Sequence, residues 1–150
     1  MPNETIHWLG KIKFVEKEYN AIRFATDRLL FQARGDPNIL KSTVEMGHIV
    51  NASDRLEGTY IIRLFAEFET GLKAFLRATK TRIPGKAEKL LDRVASKVKM
   101  LDELLRNAHA IRDFRNHLVH NREEARTPFA IRKATSHLCT FFGRLPATWQ

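Results

Sequence analysis

Tyr60-Ile-Ile-Arg-Leu-Phe-Ala-Glu-Phe-Glu-Thr-Gly-Leu-Lys-Ala-Phe-Leu76 is the stretch around which the rest of the chain must pack. Tyr60, Ile61, Leu64, Phe65, Phe68, Leu72, Phe75 and Leu76 recur at three- and four-residue steps, which is the period of a helix. The apolar face they form is wide. A helix with such a face needs neighbours on more than one side, and so belongs in the centre of a bundle. This spacing predicts a helix over about residues 55–79, capped by Ser53 or Asp54 and ended by Thr81-Arg-Ile-Pro-Gly85. Arg63/Glu67 and Glu69/Lys73 stand four residues apart on its flanks as expected ion pairs.

Helical spacing continues on both sides. Trp8, Ile12, Val15, Tyr19, Ile22, Leu29 and Ala33 hold a heptad-like stripe that predicts a helix over about 10–33, with Gly35 just past its end. Asp36-Pro37 reads as the cap and first position of a short helix over 38–46, broken up by Gly47 and Asn51-Ala-Ser-Asp54. Leu90, Leu91, Val94 and Val98 predict a helix over 86–99. A further helix is expected from about Asp102 to His120 or Arg122. Thr127-Pro128 opens a last one, with Ile131, Ala134, Leu138, Phe141, Phe142 and Leu145 as its stripe and Pro146 as its stop. No alternating strand pattern competes. The expected fold is therefore all-α, an up-down bundle of four to six helices forming a single domain over residues 1–150.

With 150 residues, a net charge of +9 and a pI near 10.1, the chain is expected to seek a polyanionic partner, nucleic acid first. The basic residues read as spread over all segments. Cys139 is the single cysteine, so no intrachain disulfide can form, and its place in an apolar stripe makes it a core residue. This usage fits a reducing cytoplasm. The start of the chain lacks the basic and apolar regions of a signal peptide, and no apolar run approaches the roughly 20 residues of a membrane span. There is no glycine-rich phosphate loop, no nucleophilic Ser or Cys set beside a base, and no Cys/His zinc spacing.

Chemistry concentrates between Leu104 and Arg122. Leu104, Ala108, Ile111, Phe114 and Leu118 give that helix an apolar face, while His109, Asp113, Asn116 and His120 line the opposite side with Arg112 beside them. A polar ridge is ordinarily a solvated face built from Glu and Lys. This one is rich in groups that bind phosphate or move protons near neutral pH. An Arg with four residues between it and a His occurs three times, as Arg112/His117, Arg115/His120 and Arg132/His137, so spacing alone selects nothing. Arg115-Asn-His-Leu-Val-His120 stands apart because Arg115 borders the apolar face and His120 falls at the expected helix end. Residues five apart on an ideal helix point about 140° from each other, so Arg115 and His120 meet only if the arginine sweeps round or the helix unwinds near Val119.

This hexapeptide resembles the Arg-x(4–6)-His signature of HEPN domains, including the polar residue directly after the arginine. Ala110-Ile-Arg-Asp-Phe-Arg-Asn-His-Leu-Val-His-Asn121 is similar to the motif helix of such proteins, and the helix containing Tyr60 is similar to their central helix. The resemblance covers about residues 55–145. It implies a helical bundle, usually dimeric through the motif helix, and in many members a metal-independent endoribonuclease of toxin–antitoxin or phage-defence systems. It further implies Arg115, Asn116 and His120 as catalytic residues, with Arg112, His117 and Arg122 as substrate contacts, RNA as substrate, and no cofactor or metal. The 2′-hydroxyl would attack the phosphorus, giving a 2′,3′-cyclic phosphate and a 5′-hydroxyl. The rival expectation is a non-catalytic basic helical dimer that binds nucleic acid or a partner such as a nucleotidyltransferase antitoxin. Two blander readings stand beside it: Arg115 paired with Asp113 or Glu123, and His109, Asp113 and His117 holding a metal.

Overall fold

The structure, a computed structural model, describes residues 3–41, 43–120 and 129–150. Among the described residues there are five α-helices and no strand: α1 (Glu4–Gly35), α2 (Met46–Ala78), α3 (Ala87–Lys97), α4 (Asp102–His120) and α5 (Ile131–Phe142), with a 3-10 turn at Pro37–Ile39. The helical bundle expected from the stripes is what forms.

Helix α2 is its axis. Ile61, Leu64, Phe65, Phe68, Leu72, Phe75 and Leu76 are all buried, and α1, α3, α4 and α5 each pack against it. Phe68 lies edge-on to Phe141 and Phe142 of α5, at centroid distances of 5.5 and 6.3 Å. Phe75 meets Trp149 edge-on at 5.4 Å. The indole Nε1 of Trp149 is close to both Thr5 Oγ1 and the Pro146 carbonyl, 3.0 Å from each. The two ends of the chain are thus tied together over the core.

Two expectations are corrected. The helix placed over 38–46 is a single 3-10 turn, whose Asp36 carboxylate accepts from the Asn38 amide as its cap. Gly47 and Asn51-Ala-Ser-Asp54 do not break the chain. Helix α2 starts at Met46 and runs through them, so neither Ser53 nor Asp54 is a cap. The reason is tertiary. Ser53 is buried against α1, where the Arg23 guanidinium donates to its hydroxyl at 2.9 Å and its carbonyl at 3.0 Å, and this contact outweighs weak local propensity. Helix α5 runs from Ile131, where Glu57 of α2 accepts from the Ile131 amide at 3.2 Å and acts as its cap. Thr127-Pro128 lies outside the described residues.

Two further details differ. Ile12, Val15, Tyr19 and Ala33 of the α1 stripe are buried, but Ile22 and Leu29 are exposed and Leu30 is buried in their place. A seven-residue repeat drifts about 20° per heptad on a straight helix, which carries Ile22 and Leu29 off the packed face that Val15 still shares. Phe24 and Phe31 are also exposed, at 68% and 80%. Arg63 pairs with Glu18 of α1 instead of Glu67, while the Lys73–Glu69 pair forms at 3.6 Å.

Gly71 is where α2 admits its neighbours most closely. A Cβ there would lie 2.7 Å from Phe142 Cε2 and 3.1 Å from Trp8 Cε3, both rings held by the core. Gly71→Ala is therefore expected to lose about 1–2 kcal/mol in urea unfolding, although alanine is the better helix former. Phe31→Ser, by contrast, is expected to shift stability by no more than about 0.5 kcal/mol.

Candidate functional site

Helix α4 carries the Arg–His hexapeptide on its last turns, and two contacts with α2 set its position there. Leu118 seats on Gly58, where a Cβ would come within 3.2 Å of Leu118 Cδ2. Arg115 lays its guanidinium over the Phe65 ring, 4.7 Å from the centroid. A cation on an aromatic face in a half-buried setting is held by the ring quadrupole and loses little freedom to other rotamers. The Arg115 Nε is buried and has no hydrogen-bond partner among the described residues. Asp113, one of the two partners considered for Arg115, is taken by Arg112 instead, at 2.8 Å.

The polar ridge of α4 divides into two parts. Its first turns are covered by α3: Asp92 meets His109 Nε2 at 2.8 Å, and Glu88 meets Arg112 at 3.5 Å. Arg112 enters the site already paired with two carboxylates. Helix α3 begins at Ala87, opposite Arg112, so its helical contacts stop there. Beyond that point Asn116 and His117 are half-buried and His120 is exposed. His117 lines a groove of about 530 Å³ with Arg55, Gly58, Phe114, Leu118 and Phe129, and its Nδ1 is buried without a partner among the described residues.

The structure thus gathers Arg115, Asn116 and His117 at one end of α4 and leaves His120 at its tip. Helix α4 stays helical through His120, so the unwinding near Val119 that would bring Arg115 and His120 together is not present. Among the described residues no hydrogen bond joins the two. Arg122 and Glu123 lie outside the described residues. His109, Asp113 and His117 have separate surroundings, and among the described residues no group of three or more His, Cys, Asp or Glu side chains converges where a metal could sit.

Gly58, Glu88 and Asp92 shape this end of the molecule and were not singled out by sequence, and Phe65 was read only as a core residue. A glycine inside a strongly helical run signals close approach of a neighbour, and that signal was available at Gly58. Glu88 and Asp92, four apart, match Arg112 and His109, three apart on the following helix, in the register of an antiparallel hairpin.

Comparison with known proteins finds no protein family, no curated protein and no solved structure that significantly matches the chain. No described helix is long and apolar enough to cross a membrane.

Outside the site, one titrating group among the described residues is moved strongly. Burial against α1 pushes the Cys139 thiol up to about 11. A raised thiol stays neutral in the folded chain while the unfolded chain ionises first. Its contribution to stability is therefore whole below about pH 9 and is lost as pH rises toward about 11. The urea midpoint of the wild type should fall more steeply between those pH values than that of Cys139→Ala. Breaking both α3–α4 ion pairs with Glu88→Gln and Asp92→Asn should cost about 1 kcal/mol in total, since both carboxylates are well exposed and screened.

Proposed function

We propose that this chain is a metal-independent endoribonuclease of HEPN type acting as a homodimer, with the end of α4 as its active site. The observation that supports the reading is the Arg115–His120 segment itself: an arginine set on Phe65, followed by polar residues and an exposed imidazole beyond the reach of α3's ion pairs.

Each side chain has a part suited to its chemistry. RNA carries its own nucleophile in the 2′-hydroxyl. His120, exposed at the helix tip, takes the proton from that hydroxyl as the oxygen attacks phosphorus. Arg115 binds the two non-bridging phosphate oxygens and stabilises the charge that gathers on them. Its seat on Phe65 orients the guanidinium before substrate arrives. Asn116 shares the outer face of α4 with His120, four residues on, and orients the phosphate. The P–O5′ bond then breaks. The 5′-oxygen takes a proton from the imidazole of a second copy, brought close by pairing through the motif helix. The products are a 2′,3′-cyclic phosphate and a 5′-hydroxyl, and no oxidant or metal enters the balance. Arg112, His117 and Arg122 complete the set as substrate contacts. A role in toxin–antitoxin or phage-defence systems, with a partner antitoxin, follows from the same family likeness.

A second reading has its own support. Arg115 and His120 leave a continuous helix about 140° apart, a geometry that serves a non-catalytic nucleic-acid-binding or antitoxin-binding dimer as readily as a nuclease.

Incubating the purified protein with a mixed RNA pool in excess EDTA separates the two. The ribonuclease reading expects cutting by the wild type and a loss of about 100-fold or more in both Arg115→Ala and His120→Ala. Retention of RNA without cutting would favour the binding dimer. Equal cutting by all three proteins would place the activity elsewhere.

A further inference from the structure

Helix α3 sorts its charges by flank. Glu88 and Asp92 lie on the side that meets α4, where they pair with Arg112 and His109. Lys86, Lys89, Arg93 and Lys97 recur at steps of three and four, so they share a different flank, and all four are exposed. Among the described residues none of these four cations meets a carboxylate. The Arg93 guanidinium donates to the Arg82 carbonyl, at 3.1 Å, which holds it against the 79–86 connection. The imbalance is also visible in the sequence: Lys73–Lys99 holds nine Lys and Arg against two acidic residues. Basic residues occur in all segments, but the net positive charge is gathered here, where few acidic residues offset them.

The geometry points to this flank of α3 as a binding track for the phosphodiester backbone of RNA, leading toward the open end of α4. This rests on the ribonuclease reading for its direction and adds to it the surface that holds the strand. Consecutive cations on a helix at these steps stand about 5–6 Å apart at their Cβ atoms, and the row from Lys86 to Lys97 extends roughly 16 Å. A groove of about 390 Å³ runs beside it, lined by Thr81, Lys89, Asp92, Arg93, Ser96 and Lys97, with Asp92 engaged by His109. The Lys86 end of the row is level with the Glu88–Arg112 pair, one helical turn short of Asn116. Arg112 brings its charge to the site already matched by Glu88 and Asp113, so cations from another element add to Arg115 in holding a long polyanion.

The row fits a nucleic-acid strand better than an acidic protein. No large apolar side chain is exposed on α3, and protein interfaces anchor on a desolvated apolar or aromatic centre. Backbone binding of RNA needs only cations and polar groups.

The test measures binding of a 2′-O-methylated RNA oligonucleotide, which cannot be cut by 2′-hydroxyl attack, between about 50 and 200 mM salt. Three full-length proteins are compared: wild type, the triple variant Lys89→Gln/Arg93→Gln/Lys97→Gln, and a control triple Arg28→Gln/Arg34→Gln/Lys41→Gln that removes the same charge from the α1–α2 end of the molecule. Coincident thermal melts establish that all three are folded. The track predicts that the α3 triple loses about tenfold or more in affinity and about 2 in the slope of log K against log salt. The control triple should stay within about threefold of wild type. Equal losses in both triples, or full affinity in the α3 triple, would overturn the track, whether or not the wild type cuts RNA. Selective loss in the α3 triple, from a wild type that never cuts cleavable RNA, would uphold the track and remove the ribonuclease reading.

Discussion

The apolar stripe of α2 is the constraint on which the rest of the molecule depends. Phe68 is fully buried among aromatic rings from its own helix and from α5, and Phe65 and Phe75 extend that cluster in both directions. Burying such rings removes roughly 150–250 Å² of surface from water for each. The same helix also positions everything with chemical character. Phe65 is a core residue on one side and the platform of Arg115 on the other. Gly58 gives Leu118 its seat, and Glu57 caps α5. The end of α4 is thus held by groups that the core itself fixes in place.

Electrostatics adds a second layer to this frame. The acidic residues of α3 are turned into α4, where they offset His109 and Arg112 and close the first part of the polar ridge. What remains open is the last part, Arg115 to His120, together with a row of cations on the other flank of α3 that meets no carboxylate among the described residues. One short helix of eleven residues therefore separates a structural use of charge from an accessible one. Among the described residues, the one arginine held on an aromatic ring and not in an ion pair is the one that begins the hexapeptide.

Much of this was legible in the residue spacing. The all-α fold, the span of α4 and most of the α2 core follow from three- and four-residue periodicity, because burying one face is what makes each helix form. The misplaced boundaries share one cause. Met46 to Asp54 looks like a broken loop by composition, yet the Arg23–Ser53 contact makes it helical. The cap of α5 is likewise a carboxylate 74 residues earlier in the chain. Neither partner can be located from local sequence. The hexapeptide could be read for its residue types and for its place near a helix end. Its seat on Phe65 could not, since a cation–π contact leaves no spacing signature between separate helices. The gathering of positive charge between Lys73 and Lys99 was readable and is a matter of counting by segment instead of over the whole chain.

The central claim is that the end of α4 cleaves RNA with the strand's own 2′-hydroxyl as nucleophile. Its most direct test is the chemistry of the cut ends. The wild type is incubated in EDTA with an RNA of defined sequence, and with a copy of that RNA bearing a single 2′-deoxy sugar at the cut site, and the fragments are weighed by mass spectrometry. The account predicts 2′,3′-cyclic phosphate and 5′-hydroxyl ends from the first RNA and no cut at the substituted position in the second. Fragments with 5′-phosphate ends, or cleavage of the deoxy-substituted position at an unchanged rate, would contradict it.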